Sequence, residues 1–253
     1  MPRSDLPAWN PRWAFFLDVD GTLVEIAARP DLAEATPRLI ELLRRLPARV
    51  GGAMALVSGR SIASLDQMLA PLALPLAGLH GLERRDATGC VHHAMADEER
   101  LHGAKNELWA FAERHPGLLV EDKGPAVALH FRAAPALEAE VRARLEDIVA
   151  RLGDAWCLLR GKKVLEIKPT GRNKGSAIEE FMREAPFAGR VPVFIGDDVT
   201  DEAGFAAVNR LSGHSIGVGV GDDSQATWHI AEVGAVLDWL ASLLDVRVQS
   251  ASG

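Results

Sequence analysis

Two carboxylates, one residue apart, directly follow an apolar segment near the start of the chain. Residues 14–17 read Ala-Phe-Phe-Leu, and Asp18, Asp20 and Gly21 come immediately after them. Because strand side chains repeat every second residue, Asp18 and Asp20 can lean toward one reacting centre. Two crowded anions attract a cation such as Mg²⁺, which prefers carboxylate oxygens together with waters and a substrate phosphate. The pattern suits phosphoryl transfer, and the alternative is a solvated Asp-rich turn.

A second apolar segment, residues 191–196, also ends in acidic residues. It runs into Asp197-Asp198-Val199-Thr200-Asp201-Glu202, which holds four acids within six residues. In an open parallel sheet, ligands lie beyond the carboxyl ends of the strands. If the two strands are neighbours, their acidic ends therefore face one crevice.

Two further segments between these strands carry groups that suit a phosphate. The apolar residues 52–57 lead into Ser58, Gly59 and Arg60, where a hydroxyl and backbone amides precede a helix start. Lys174 precedes a helical pattern over 176–185 and places an ammonium group where it can neutralise a phosphate oxygen. Taken singly, each has an ordinary alternative, a plain turn for Ser-Gly and a solvated side chain for the lysine.

In this order, the four segments resemble the motifs of the haloacid dehalogenase superfamily of phosphatases, DxDGT, Ser or Thr with Gly, Lys, and GDxxxD. The resemblance implies that Asp18 is the nucleophile that forms an aspartyl-phosphate. It implies that Asp20 is first general acid and then general base. It also implies that Ser58 and Gly59 bind the phosphate together with Lys174, which is counted as catalytic as well.

The same resemblance implies a Mg²⁺ site. Its ligands are the carboxylate of Asp18, the backbone carbonyl of Asp20 and the carboxylate of Asp197. Asp198 competes with Asp197 for one coordination position, since spacing alone does not choose between them, and we expect Asp197 to occupy it. Asp201 is expected to support the site from behind by orienting Lys174 or a metal-bound water.

Composition limits the class of protein. The 253 residues are 48% hydrophobic, enough for one large domain or a domain with an insertion. No apolar run reaches the ~18–20 residues that a bilayer span needs, and residues 1–11 lack a signal-peptide pattern, so we expect a cytoplasmic protein. Cys90 and Cys157 predict neither a disulfide framework nor a metal site. A net charge of -7 argues against nucleic acid as a partner, and nothing in the sequence specifies an oligomeric state.

Helix and strand patterns alternate in the first 81 residues and again after residue 168, as in a doubly wound α/β sheet. The intervening segment instead reads as two long helices with short paired strands. We therefore predict a Rossmann-like parallel-sheet core, 1–81 and 169–253, with an inserted α+β cap at 82–168. A hinge is expected near 81–83 and 168–172.

The predicted cap strands carry alternating polar residues. One polar face holds His130 and Arg132, and a second strand presents Lys162, Glu166 and Lys168 on the side opposite its apolar residues. Glu121 and Lys123 share a face as well. One interpretation is an antiparallel sheet with a solvated face and ordinary ion pairs. The other is a polar face that closes over the core and binds sugar hydroxyl groups.

Five blocks together resemble the trehalose-6-phosphate phosphatase family: residues 18–23, 78–83, 121–132, 161–166 and 196–202. The resemblance spans about residues 13–245 and implies a bacterial stand-alone phosphoric monoester hydrolase that acts on a small sugar phosphate. It implies substrate contacts from the middle segment and from one core histidine, namely His80, Glu121, Lys123, Arg132, Lys162 and Glu166.

Two other functions remain open at this point. One is a related capped phosphatase acting on sucrose 6-phosphate or a mannosyl-glycerate precursor. The core motifs do not distinguish it from a phosphatase of the trehalose-6-phosphate family. The other is a non-catalytic sugar-phosphate sensor on the same fold.

Overall fold

The structure is a computed structural model, and it describes residues 6–27, 32–94 and 98–245. Two sheets organise these residues. The helices within the described ranges include none that combines the length and the apolar character needed to cross a bilayer.

The larger sheet has eight strands. In chain order they are β1 Trp13–Leu17, β2 Met54–Val57, β3 Leu76–Gly78, β4 Glu83–Arg85, β5 Val91–His93, β10 Val191–Gly196, β11 His214–Val218 and β12 Trp228–Ile230. Their spatial order is β12-β11-β10-β1-β2-β3-β4-β5. Pairing is parallel from β12 to β3 and antiparallel for β4 and β5. Strand β1, which precedes Asp18, therefore lies beside β10, which precedes Asp197, and Leu17 pairs with Ile195.

The remaining strands, β6 Leu119–Asp122, β7 Val127–His130, β8 Trp156–Gly161 and β9 Val164–Pro169, form the smaller sheet. It is antiparallel, in the order β6-β7-β9-β8. The helices are α1 Pro37–Arg49, α2 Ile62–Leu69, α3 Glu98–Glu113, α4 Glu138–Leu152, α5 Lys174–Phe181, α6 Glu202–Arg210 and α7 Val233–Asp245.

Helices cover both faces of the larger sheet because its central strands are apolar on both sides. Phe15 and Leu17 of β1 pack in one cluster with buried residues of α1, α2 and α7. Phe16 points to the opposite cluster, where it meets Phe181 of α5 and Phe205 of α6. The doubly wound arrangement predicted from the alternating pattern is therefore present.

Helix starts follow the expected capping chemistry. The Thr36 hydroxyl accepts a hydrogen bond from the Leu39 amide at 3.2 Å, and Pro37 opens α1. The Ser61 hydroxyl accepts one from the Ser64 amide at 3.2 Å and caps α2. Short-range sequence signals thus determine where these helices begin, and α2 begins directly after the segment that carries Ser58.

The smaller sheet places its large apolar side chains on one face only. Leu129 of β7 and Leu165 of β9 are buried among apolar residues of α3 and α4. Its other face holds the charged side chains of the alternating pattern, and this face is turned toward the carboxyl ends of β1 and β10. The helices lie behind the sheet, which leaves the polar face in front of the crevice.

The chain changes from one sheet to the other later than residue 82. Strands β4 and β5 belong to the larger sheet, so the change comes after His93. Arg84 explains this: it is buried, its guanidinium donates to both carboxylate oxygens of Glu184 at 2.9 Å, and it lies 5.0 Å from the centre of the Phe181 ring. These contacts hold β4 against the core, so the expected hinge at 81–83 falls within core structure. The predicted division into domains otherwise stays a prediction.

Candidate active site

A cavity opens where the carboxyl ends of β1, β2 and β10 face the polar side of the smaller sheet. Core residues and residues of the smaller sheet line it together. The strands position most of the core groups: Asp18, Ser58 and Asp197 each follow the last residue of a buried strand, whereas Lys174 is the first residue of α5. The site-residue predictions from the sequence converge on this cavity, except that Asp201 lies behind it, bonded to Lys174.

Three carboxylates and one ammonium group form the buried base of the cavity. The Lys174 ammonium donates to Asp18 Oδ1 at 2.7 Å and to Asp201 Oδ1 at 2.6 Å. Asp201 Oδ2 accepts the backbone amides of Asp197 and Asp198 at 3.0 Å. Ligand atoms of Asp18, Asp197 and Asp201 lie within 4.8 Å of one another, and all three residues are buried. Asp201 thus fixes both Lys174 and the turn that presents Asp197.

The cluster carries more negative than positive charge. Burial raises the pKa of Asp18 well above its usual range, the Asp201 and Asp197 carboxylates raise it further, and Lys174 opposes them. Burial also raises the pKa of Asp197. Lys174 behaves differently: burial disfavours its charge, but Asp18 and Asp201 outweigh burial and raise its pKa. An added cation would relieve the surplus of negative charge.

The donor set fits a metal ion. Asp197 Oδ1 is buried and has no hydrogen-bond partner among the described residues, although a buried carboxylate oxygen normally has one. Its second oxygen, Oδ2, accepts Lys162 Nζ at 2.6 Å. Asp198 points elsewhere: its carboxylate accepts the Val199 amide at 2.7 Å and the Lys162 amide at 3.3 Å. Of the two adjacent carboxylates, Asp197 is the one that lies in the buried group that could hold a metal ion.

Close approach of the backbone requires glycine beside this cluster. Gly21 has φ +84°, and a Cβ atom built there would lie 2.2 Å from Asp197 Oδ2. A Cβ atom at Gly196 would lie 2.4 Å from Asp201 Cγ. Any side chain at either position would displace a carboxylate of the cluster.

Asp20 lies apart from the cluster and has its own partner. Arg60 Nε donates to Asp20 Oδ2 and Arg60 Nη2 to Asp20 Oδ1, each at 2.6 Å. Ser58 is buried next to this pair, and its hydroxyl accepts the Arg60 amide at 3.2 Å. The segment predicted to hold phosphate therefore also supplies the partner of Asp20.

His80 packs against this segment from behind. It is buried with φ 53°, and a Cβ atom at Gly59 would lie 2.6 Å from its Nε2. Burial lowers the pKa of His80 well below its usual range, and the positive charges of Lys123, Lys174 and Lys168 lower it further. The imidazole is therefore neutral, and it lies 3.7 Å from Glu166 Oε2.

The smaller sheet contributes a set of paired charges. Lys123 Nζ donates to Glu166 Oε2 at 2.7 Å and to the backbone carbonyl of Gly59 at 3.0 Å, which connects the sheet to the core. Burial disfavours the charge of Lys123, but Glu166 and Glu121 outweigh it and raise its pKa. His130 Nε2 lies 2.8 Å from Glu121 Oε2. These groups are held in place yet face the cavity.

The end of the smaller sheet leads directly to Lys174. Strand β9 ends at Pro169 and α5 begins at Lys174, so residues 170–173 form the whole connection. The Lys168 ammonium donates to the Arg172 carbonyl, and Asn173 caps α5 through a reciprocal pair of bonds with Ser176. This connection fixes the helix turn that carries the ammonium group.

Comparison with known proteins identifies the family. The trehalose-phosphatase family model matches residues 16–236. The chain is 43% identical over 239 residues to the trehalose-6-phosphate phosphatase of Escherichia coli, covering 94% of this chain and 89% of that protein. The chain belongs to the trehalose-phosphatase family.

Solved structures agree with this membership. A trehalose-6-phosphate phosphatase related protein superimposes with a TM-score of 0.75 and 28% identity, over 91% of this chain and 96% of that one. A phosphatase of the haloalkanoate (HAD) superfamily from Bacteroides thetaiotaomicron, at 17% identity, has a TM-score of 0.63 over 95% and 99% of the two chains, and this likeness concerns the fold alone. The predicted fold class, a Rossmann-like core of the haloacid dehalogenase type with a cap, is confirmed.

Within the trehalose-phosphatase fold, the predicted residues occupy two ends of one cavity. Asp18, Asp20, Ser58, Lys174 and Asp197 line the core end, and the opposite end is lined by His80, Glu121, Lys123, Arg132 and Glu166. Lys162, predicted to contact substrate, also lines the cavity, and its ammonium donates to Asp197 Oδ2 at 2.6 Å.

Two ionisable residues at the cavity, Arg60 and His130, received no role from the sequence. Arg60 binds Asp20, and its only signal was its place directly after Ser58 and Gly59. His130 binds Glu121, and its signal was the alternation that put it on the polar face of β7. Both lie in the cavity wall.

Proposed function

We propose that this protein hydrolyses trehalose 6-phosphate to trehalose and phosphate, the second step of trehalose synthesis, through an aspartyl-phosphate intermediate. Membership of the trehalose-phosphatase family supports the substrate. One observation carries the mechanism: a buried carboxylate and ammonium cluster and a wall of paired polar side chains line the same cavity. Such a cavity suits a molecule with a phosphate at one end and sugar hydroxyl groups at the other.

In the first step, an oxygen of Asp18 attacks phosphorus and forms the new O–P bond. The bond to the sugar oxygen breaks, its electron pair stays on that oxygen, and Asp20 supplies the proton. Lys174, which already touches Asp18 at 2.7 Å, neutralises charge on the transferring group. Ser58 and the amides that follow it hold the remaining phosphate oxygens.

In the second step, Asp20 is ionised and takes a proton from water as that water attacks phosphorus. The bond between phosphorus and Asp18 breaks, and its electron pair returns to the carboxylate. Asp201 keeps Lys174 in place in both steps, because its Oδ1 accepts from that ammonium at 2.6 Å.

We propose that the metal ion is Mg²⁺, held by Asp18, the backbone carbonyl of Asp20 and Asp197. When bound, the ion would offset the repulsion between the phosphate dianion and the attacking carboxylate. The unpartnered Oδ1 of Asp197 and the raised pKa of Asp18 support a cation here. In this proposal, Asp198 does not bind the metal ion and instead stabilises the turn that carries Asp197.

We assign sugar recognition to the smaller sheet and its helices, as a cap over the core. Glu121, Lys123, Arg132 and Glu166 present donors and acceptors into the cavity, and His80 supports Glu166 from the core side. A trehalose hydroxyl group can take the place of one partner in such a pair and keep the other charged group hydrogen-bonded. A sugar that displaces the same partner but lacks that hydroxyl group leaves a buried charged group without a hydrogen bond. A charged sugar phosphate as substrate is also consistent with the cytoplasmic location that we expect from the sequence.

Phosphate release across a panel of esters tests this proposal. Trehalose 6-phosphate, sucrose 6-phosphate and glucose 6-phosphate are compared with and without Mg²⁺. We expect the highest kcat/KM for trehalose 6-phosphate and none after chelation. A preference for sucrose 6-phosphate would move the substrate assignment, and release from no ester would indicate a sugar-phosphate sensor.

A further inference from the structure

Arg60 is held rigidly at the edge of the cavity. Its side chain is 10% exposed, although arginine side chains are mostly exposed in folded proteins. Its backbone carbonyl accepts the Leu79 amide at 2.9 Å, and a Cβ atom at Gly78 would lie 2.8 Å from that carbonyl. Its backbone amide is bound by the Ser58 hydroxyl. The chain on both sides therefore fixes where the guanidinium points.

The Arg60 guanidinium binds the Asp20 carboxylate in a two-bond arrangement that we call the fork. Two parallel hydrogen bonds of 2.6 Å bind both carboxylate oxygens, an arrangement that fixes the plane of the carboxylate as well as its position. The Asp20 side chain is 36% exposed, so part of it is open to the cavity. The cations Lys123 and Lys174 lie in the same cavity and attract a free carboxylate. The fork thus prevents Asp20 from turning toward either lysine.

We propose that Arg60 is a positioning residue that aims Asp20 at the leaving oxygen and holds it there through both proton transfers. This inference rests on the proposed function. As protonated Asp20 approaches the leaving oxygen, one carboxyl oxygen carries the proton, while the other stays hydrogen-bonded to the Arg60 guanidinium. When the bond from phosphorus to the leaving oxygen breaks, that oxygen keeps the electron pair and takes the proton. The newly charged carboxylate then regains the second hydrogen bond from Arg60.

The reverse change accompanies the second step. The ionised carboxylate starts in the full fork, releases one hydrogen bond as it takes the proton of the attacking water, and is ready for the next ester. A lysine keeps a positive charge but has no planar fork, so it does not fix the carboxylate plane. The role of Arg60 therefore depends on its shape and not only on its charge.

A series of aryl phosphates separates this role from a structural one. Phenyl phosphate has a poor leaving group that needs the proton from Asp20, whereas 4-nitrophenyl phosphate leaves without it, and both are too small to need the cap. We expect Arg60→Met to lower kcat/KM, which reports the first step alone, about tenfold to a hundredfold on phenyl phosphate, part of the usual contribution of general acid catalysis, and less than about threefold on 4-nitrophenyl phosphate. Arg60→Lys should resemble Arg60→Met.

Arg85→Met is the matched control. Arg85 also forms a two-bond pair with a carboxylate, that of Asp66, at 2.8 and 2.7 Å, away from the cavity. We expect it to leave the dependence on the leaving group unchanged. Equal losses of kcat/KM on all aryl esters in Arg60→Met, or full activity in Arg60→Lys, would overturn the inference. In an Asp20→Asn background, Arg60→Met should have no further effect, and an additive loss would count against action through Asp20.

A second measurement does not depend on turnover. In a crystal structure of Arg60→Met, or of Arg60→Lys if the first variant does not fold, the Asp20 carboxylate should be turned away or occupy several conformations. An unmoved carboxylate would overturn the inference while the proposed function stands. If the parent protein releases phosphate from no ester at all, the proposed function fails, and this inference fails with it.

Discussion

The two ends of the cavity balance charge in opposite ways. At the core end, Asp18, Asp197 and Asp201 crowd around Lys174, and burial raises the pKa of Asp18 and Asp197. At the cap end, Glu121 and Glu166 are matched by Lys123 and His130 at hydrogen-bond distances. The core end is thus built to take up a cation and an anionic group, while the cap end already holds its carboxylates in hydrogen bonds and can exchange those bonds for bonds to a ligand. One end suits chemistry and the other suits discrimination between sugars.

The largest effect should come from removing the carboxylate at the core end. Asp18→Asn keeps the shape but makes a poor nucleophile, so phosphate release should fall below detection while trehalose 6-phosphate still binds. Steady-state assays and calorimetric titration measure the two properties. Asp222→Asn, an exposed aspartate, is the control and should behave as the parent. Turnover near the parent's level in Asp18→Asn would remove Asp18 from its role.

Removing the metal should affect both activity and stability. An ion that binds only the folded carboxylate cluster stabilises it by mass action, so Mg²⁺ at about 100 times its Kd should raise the melting temperature by roughly 5–10 °C. Asp197→Asn should show a much smaller shift, because an uncharged amide is a weaker ligand for Mg²⁺ than a carboxylate. Thermal unfolding with chelator and with added Mg²⁺ checks this. Equal shifts in the variant and the parent would place the ion elsewhere.

A change at the cap end should be selective. Glu166→Gln weakens the charged hydrogen bond to Lys123, so we expect kcat/KM for trehalose 6-phosphate to fall about tenfold to a hundredfold, with 4-nitrophenyl phosphate almost unchanged. Glu146→Gln is the control, because Glu146 pairs with Arg160 on the exposed outer side. Kinetics on both esters measure the split. Equal losses on both would mean that Glu166 serves folding or cap closure.

The smallest effect concerns stability and pH at the border between the two ends. Burial depresses the pKa of His80 in the folded state, so its neutral form contributes stability above the unfolded value of about 6.5, and this contribution is lost as pH falls below it. Between pH 7.5 and 5.5 the parent should lose more unfolding free energy than His80→Asn, by up to about 1.4 kcal/mol per pH unit below 6.5. Urea unfolding at several pH values tests the difference. Parallel losses would show that the imidazole is not held neutral.

Sequence patterns predicted the core end well and the cap end less completely. Asp18 and Asp197 converge because each follows a buried parallel strand, a rule that needs only the order of strands. The bond of Lys162 to Asp197 could not be predicted, because it joins residues 35 positions apart and depends on how the sheets face each other. The same applies to the fork between Arg60 and Asp20.

The boundary at residue 82 shows a second limit. Strand β4 reads Glu-Arg-Arg, which has no apolar alternation and therefore no strand signal. Its attachment to the core comes from the bonds of Arg84 to Glu184, a residue 100 positions away. Long-range ion pairs of this kind leave no local pattern, and only the folded chain reveals them.

Residues 170–173 have a consequence for protein engineering. They act as a short tether, so any tilt of the cap is transmitted within one turn of chain to the ammonium group that neutralises the reacting centre. Chimeras that exchange caps between relatives must therefore reproduce the length and pitch of this junction, or the ammonium group loses its carboxylates. The loop at 86–90, at the far edge of the larger sheet, makes no such demand and is the better place for a tag or a reporter.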